Sequence, residues 1–231
     1  MELRKFMIKI GIIGSGNWSL ALSKVLISPE VTIKARNIDK AKKKFPKNKK
    51  FFIIDNFEIL KDFDVLFLAN PSQSLRGILN EIPKNTKSKF VICSKGIEKR
   101  TNKLMSEVLT EFFPKNDFAI LSGPNFSFEV IKGLPTATVI SSKNSNLSKY
   151  ISKIMVQEKF RTYFNNDVIG TQIGGAMKNV IAIASGFIMG KGLGLNANAS
   201  IVTRGLSEII DLGIKMGAKK KLFMDFLVLE I

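Results

Sequence analysis

Runs of Val, Ile, Leu and Phe, each too short for a helix, punctuate the first two thirds of the chain. They read "MIKIGIIG", "VTIKAR", "FFIID", "DVLFLAN", "KFVICSKG", "FAILSGP" and "TATVIS". Each is a strand by length and β-branched content. Between them the apolar positions move to helical spacing, notably in "NWSLALSKVLIS", "SLRGILNEI" and "NKLMSEVLTEFF". Strand and helix in alternation predict an α/β fold, a doubly wound parallel sheet with helices on both faces. After about Asn166 the alternation stops. From Val168 to Glu208 the pattern is helix-compatible throughout, broken at "GKGLGLNAN". The chain therefore divides into a sheet unit over 1–166 and an all-helical unit over 167–231.

The first strand runs into "GSGNWS", which also opens the first helix, and that context makes the glycines a dinucleotide signal of the Rossmann type. Gly14 allows the tight turn, and Gly16 lets a pyrophosphate approach the helix N-terminus. Ser19 stands where the third glycine of the pattern is usual. Twenty residues beyond Gly16, at the end of the second strand, lies Arg36 in "KARNID". An acidic residue there meets a free ribose hydroxyl, whereas an arginine accommodates a 2′-phosphate. Arg36 favours NADP over NAD, although Asp39 is close by. A solvent-facing strand end is the plain alternative for Arg36.

Composition narrows the chemistry. The chain of 231 residues has no histidine, which removes histidine-based triads and histidine metal sites. No metal site is expected. A lysine, carboxylate, tyrosine or water must handle any proton transfer near neutral pH. Thirty-six basic against 19 acidic residues give a net charge of +17. The lysines lie in loop-like runs such as "DKAKKKFPKNKK", without an arginine stripe or an aromatic platform. A solvated basic surface that attracts anionic metabolites accounts for them better than nucleic-acid binding. The one cysteine, Cys93, falls in a strand and reads as a reduced, buried thiol, which suits a cytoplasmic protein. The uncharged, apolar stretch Asn179 to Gly190 is shorter than the roughly 20 residues of a membrane span.

Lys178 is out of place. It lies in "GGAMKNVIAIASG", where its helical neighbours Gly174, Gly175, Ile181 and Ala182 offer no charge to pair with. Removal from water favours the neutral amine, which takes a proton from an alcohol as hydride leaves; the ammonium returns it in the reverse direction. Asn179 is placed to orient the substrate hydroxyl. A lysine snorkelling to a bundle surface is the alternative.

Five ordered segments, "GSGNWSLAL", "ANPSQSLRGIL", "CSKGIE", "LSGPNFSFEV…GLPTA" and "GTQIGGAMKNVIAIASGFIMGKGLGLNANASIVTRGLSE", resemble the bacterial NAD(P)-dependent glycerol-3-phosphate dehydrogenases. The resemblance implies reversible reduction of dihydroxyacetone phosphate to sn-glycerol 3-phosphate, the backbone precursor of phospholipids. It assigns Lys178 as proton acceptor and Lys95 to a place beside substrate and nicotinamide. Gly123, Asn125 and Asn179 fall at substrate positions, with Asn125 replacing a more usual hydroxyl residue. Asn17, Trp18, Arg36, Lys95 and Ser127 fall at cofactor positions, and Trp18 serves equally as a core residue. Arg204 and Glu208 also match, but a helical i,i+4 ion pair explains them.

The stretch between Arg36 and "DVLFLAN" is shorter than the family pattern. After Phe223 and Met224 the pattern is lost, so Asp225 is not equated with the family's aspartate. The expectation is a truncated helical domain lacking its phosphate-gripping segment. Water would then reach Lys178, and the apolar face of "VIAIASGFIMG" would be exposed, favouring aggregation or a homodimer. Nucleotide binding with little turnover follows. A related hydroxyacid dehydrogenase of the 6-phosphogluconate type and a non-catalytic nucleotide-binding remnant are the rival readings.

Overall fold

The computed structural model describes residues 8–28, 30–45, 50–155 and 158–219. Asp225, Phe223 and Met224 lie outside them. Eight strands form one sheet: β1 (Ile10–Ile13), β2 (Glu30–Lys34), β3 (Lys50–Ile54), β4 (Val65–Leu68), β5 (Lys89–Ile92), β6 (Phe118–Ser122), β7 (Thr136–Ser141) and β8 (Phe160–Asn165). Their order is β3-β2-β1-β4-β5-β6-β7-β8. The chain starts in the middle of the sheet, winds outward to β3, and crosses back through β4. The reversal falls between β1 and β4, whose C-terminal ends therefore open onto a crevice.

The apolar runs are legible as strands because both faces are covered. In β4, Val65 and Phe67 join one core layer while Leu66 and Leu68 join the other, and all four are fully buried. Helix α1 (Asn17–Val25), α2 (Ile38–Lys44), α5 (Ser127–Lys132) and α6 (Ser145–Ile154) lie in chain order among the crossovers, and Leu22, Ala41, Val130 and Ile151 fill the first layer. Leu75 and Leu79 of α3 (Leu75–Glu81), with Val108 and Leu109 of α4 (Met105–Phe112), fill the second.

Two features differ from the expected all-parallel sheet. The β6–β7 pair is antiparallel, with Leu121 opposite Ile140. In addition, "FRTYFN" forms an edge strand, β8, parallel to β7. Its alternation is half-exposed and carries Arg161, Asn165 and two threonine or tyrosine positions, so it lacks the continuous apolar signature of the inner strands.

Helix α7 (Val168–Gly190) and helix α8 (Leu195–Lys215) form an antiparallel hairpin. Asp167 caps α7 by accepting from Gly170 N at 2.9 Å, and its second oxygen accepts from Lys219 N at 2.8 Å. Gln172 then docks α7 on α4 through Ser106 N (2.9 Å) and Ser106 Oγ (2.8 Å). The buried part of α7 ends early, at Gly175. By length and composition alone α7 reaches the size of a membrane span, a point the uncharged run Asn179–Gly190 missed because Lys178 interrupts it. Further along, Ile183 and Phe187 are largely exposed, 74% and 62%.

Candidate active site

The site starts at the glycine turn after β1. Gly14 adopts φ +117°, and a Cβ on it would lie 2.6 Å from the carbonyl oxygen of Ala69 at the end of β4. Only glycine permits this conformation and this approach. Gly16 is the N-cap of α1 without any side-chain cap, and nothing lies within 4 Å of where its Cβ would stand. The first N–H groups of α1 thus face an open cradle that an anion fits. The residues present fit a dinucleotide pyrophosphate, which needs backbone N–H donors and no side chain in its way. Asn17 is exposed at the head of the same helix.

Next to the turn lies a cleft of about 340 Å³ at the C-terminal ends of β4, β5 and β6. Its walls bring together Trp18, Lys95, Gly123, Asn125, Ser127, Lys178 and Asn179. These residues are up to 161 positions apart in sequence (18 to 179) and come from four separate segments. Lys95 follows β5 and donates from Nζ to Gly123 O at 3.0 Å. Asn125 donates to Thr138 Oγ1 at 2.9 Å, which in turn donates to Ser122 O. This chain of bonds fixes the "SGPN" turn against β7.

Helix α7 reaches the cleft because it carries a glycine where it crosses the sheet. A Cβ on Gly175 would lie 2.7 Å from Ser122 Oγ and 3.6 Å from Lys95 Cδ. One turn later the helix presents Lys178. The two ammonium groups thus line one cleft, a setting suited to a phosphate-bearing substrate or a developing alkoxide.

Lys178 is not the sealed lysine its neighbours in sequence predict. It is half-buried, and Asn179 is exposed. Beyond Gly175 the helix has left the sheet and, among the described residues, packs mainly on α8, leaving Ala182 and Ile183 exposed as well.

Arg36 lies outside the cleft walls, exposed at the bend between β2 and α2. Lys44, at the end of α2, brings its Nζ within 3.4 Å of Ser15 O in the glycine turn, so cationic charge flanks the turn on this side. Cys93 is buried in the cleft floor; burial pushes its thiol up to about 12, against the opposing pull of the Trp18 indole and the Lys95 charge. Arg204 and Glu208 stand exposed on α8, and no ion pair joins them. Water competes with so weak a contact, worth about 0.3–0.5 kcal/mol on a helix surface.

Several working parts lie within the quoted segments "ANPSQSLRGIL" and "CSKGIE", but nothing in the sequence shows the bonds they make. Gln73 clamps the loop after β5 by donating to Ile97 O (2.8 Å) and accepting from Lys99 N (3.0 Å). Arg76 of α3 forks onto Glu98 of the same loop at 2.8 and 2.9 Å and also bonds Glu111. Ser94 Oγ donates to Asn70 O at 2.5 Å. These bonds tie the β4 and β5 loops together and set Lys95.

Residues 9–148 match the model of the NAD-dependent glycerol-3-phosphate dehydrogenase N-terminus, and residues 167–229 that of its C-terminus. The chain belongs to this family. It is 39% identical over 236 residues to a glycerol-3-phosphate dehydrogenase (NAD(P)+) of Leptospira biflexa, covering 94% of this chain and 71% of the relative. An enzyme of the same description from Carboxydothermus hydrogenoformans is 38% identical, with 94% and 70% covered. The crystal structure of glycerol-3-phosphate dehydrogenase from Coxiella burnetii superposes with a TM-score of 0.85 at 28% identity, covering 97% of this chain and 75% of that one. The family is one of NAD(P)-dependent oxidoreductases, and the cleft at the β1–β4 reversal is where its fold type holds a dinucleotide.

Proposed function

We propose that this chain catalyses reversible hydride transfer between NAD(P)H and dihydroxyacetone phosphate, giving sn-glycerol 3-phosphate. The observation that carries the reading is the convergence of Lys95 and Lys178 on one cleft beside the uncapped glycine turn. The nicotinamide supplies or accepts the hydride when bound. Gly14, Gly16 and Asn17 hold the pyrophosphate side, Trp18 and Ser127 flank the nicotinamide side, and Gly123, Asn125 and Asn179 position the substrate. Lys178 Nζ gives a proton to the oxygen of the reduced carbon and takes it back in reverse. Lys95 balances the negative charge of the substrate.

NADP is the preferred cofactor, on the strength of Arg36 and the neighbouring lysines of α2. Residues 1–166 form the nucleotide unit and 167–231 the substrate unit. The enzyme works in the cytoplasm, and the exposed apolar face of α7 supports a homodimer, which light scattering measures.

The test is NADPH oxidation with dihydroxyacetone phosphate. Lys178→Met removes turnover and leaves nucleotide affinity unchanged, since the lysine serves proton transfer rather than binding. Near-normal turnover in that variant overturns the assignment. The half-exposed Lys178 and exposed Asn179 favour a second reading, nucleotide binding with little turnover. Robust lysine-dependent oxidation by the 231-residue chain excludes it.

A further inference from the structure

Asn70 stands immediately after β4, in the cleft wall, with only 7% of its surface exposed. Its Nδ2 donates to Pro71 O at 3.0 Å and to Ser74 Oγ at 3.2 Å. Pro71 O can only accept, so the nitrogen must face it and the orientation of the amide is settled by the network. That leaves Oδ1 buried with no hydrogen-bond partner. A stranded acceptor is costly, and native chains keep one only where something compensates. The position of the residue indicates what does. Asn70 N lies 3.5 Å from where a Cβ on Gly14 would stand, so Asn70 adjoins the pyrophosphate turn. It lies on the β4 side of that turn, away from β2 and Arg36 and towards Lys95. A dinucleotide laid across the strand ends places its adenosine half over β2 and its nicotinamide half over β4.

We propose that Asn70 Oδ1 accepts a hydrogen bond from a hydroxyl of the nicotinamide-side ribose. Oδ1 is buried at the cleft wall, so this contact requires the Pro71–Ser74 turn to shift as the ribose seats. The proposal rests on the dinucleotide reading above and assigns Asn70 to the nicotinamide half alone.

Calorimetry with the whole chain tests it, using NAD+, ADP, and NAD+ analogues with 2′- or 3′-deoxyribose on the nicotinamide side. In the unmodified protein, one deoxy analogue binds about ten-fold more weakly than NAD+, the effect of one lost hydrogen bond. Asn70→Val weakens NAD+ to a similar degree, no longer distinguishes that analogue, and leaves ADP affinity within about two-fold. Ser74→Ala, which removes a partner of Nδ2 but not Oδ1, leaves NAD+ affinity within about two-fold. Equal binding of NAD+ and both deoxy analogues by the unmodified protein overturns the proposal, whatever the variants do. So does a loss in Ser74→Ala matching that of Asn70→Val, which makes the effect one of loop disruption. Failure of the unmodified protein to bind NADP+, NAD+ or ADP removes the dinucleotide reading as well.

Discussion

Gly14→Ala and Gly16→Ala, two residues apart, act on different quantities. At Gly14 the added methyl lies 2.6 Å from Ala69 O and 3.0 Å from Ala69 C, both backbone atoms. Neither side of the contact can move freely. Gly14 N donates to Lys34 O at 2.9 Å, and Ala69 N donates to Ile13 O at 2.9 Å, so the turn is pinned to β2 and β4 together. The φ of +117° adds backbone strain of about 1–3 kcal/mol for an alanine. Overpacking against fixed backbone costs about 1–3 kcal/mol more. The sum of about 2–6 kcal/mol is a large share of the roughly 5–15 kcal/mol that holds a domain folded. With a urea slope of about 2 kcal/mol/M, the unfolding midpoint drops by about 1 M or more. Gly16 has φ −77° and open space around its Cβ position, so alanine there loses only a favoured N-cap, under about 1 kcal/mol. Its methyl instead stands where the pyrophosphate approaches, and dinucleotide affinity falls. Urea titration followed through Trp18, the only tryptophan and packed on the core beside the turn, reads the first effect. Calorimetry with NAD+ reads the second. Equal urea midpoints for Gly14→Ala and the unmodified protein would refute the steric account of the turn, as would a Gly16→Ala midpoint as low as that of Gly14→Ala.

Arg36→Ala weakens NADPH by about ten-fold, the size of one charge-assisted contact, and leaves NADH within about two-fold; the NADPH preference also shrinks as salt rises. Fluorescence titration of both cofactors checks this, and an NADH preference untouched by the substitution counts against it. Arg76→Leu alters the acid limb of stability. Arg76, then Lys103, holds the Glu111 carboxyl down at about 2, and Arg76, then Thr101, holds Glu98 below the usual carboxylate range. Folded values below the unfolded value of about 4.3 mean stability that is present above that pH and lost as the pH falls through the folded values. The melting-temperature gap between the two proteins is therefore widest near pH 6 and closes towards pH 2. A constant gap across that range contradicts the reasoning.

What could be read from residues alone was local. "MIKIGIIG" and "DVLFLAN" declare themselves as strands because a strand buried on both faces must be apolar at every position. "GSGNWS" declares a turn because its backbone demands glycine whatever the rest of the chain does. The lysine at 178 was conspicuous for the same reason: an ammonium among glycines and aliphatic residues is a local anomaly. What surrounds that lysine was not local. Its exposure depends on where α7 leaves the sheet, and that point is set by Gly175 meeting Ser122 across 53 residues of chain. The edge strand β8 stayed hidden because half-exposed strands carry polar residues and resemble loops. The antiparallel pairing of β7 with β6 is a choice of neighbour and direction made in space, and no residue within β7 encodes it. Gln73 and Arg76 look like ordinary surface residues of a helix start, and Asn70 like a loop asparagine. Only the folded chain brings them to Ile97, Glu98 and the cleft wall, because hydrogen-bond partners are chosen by distance in space, which the order of residues does not contain.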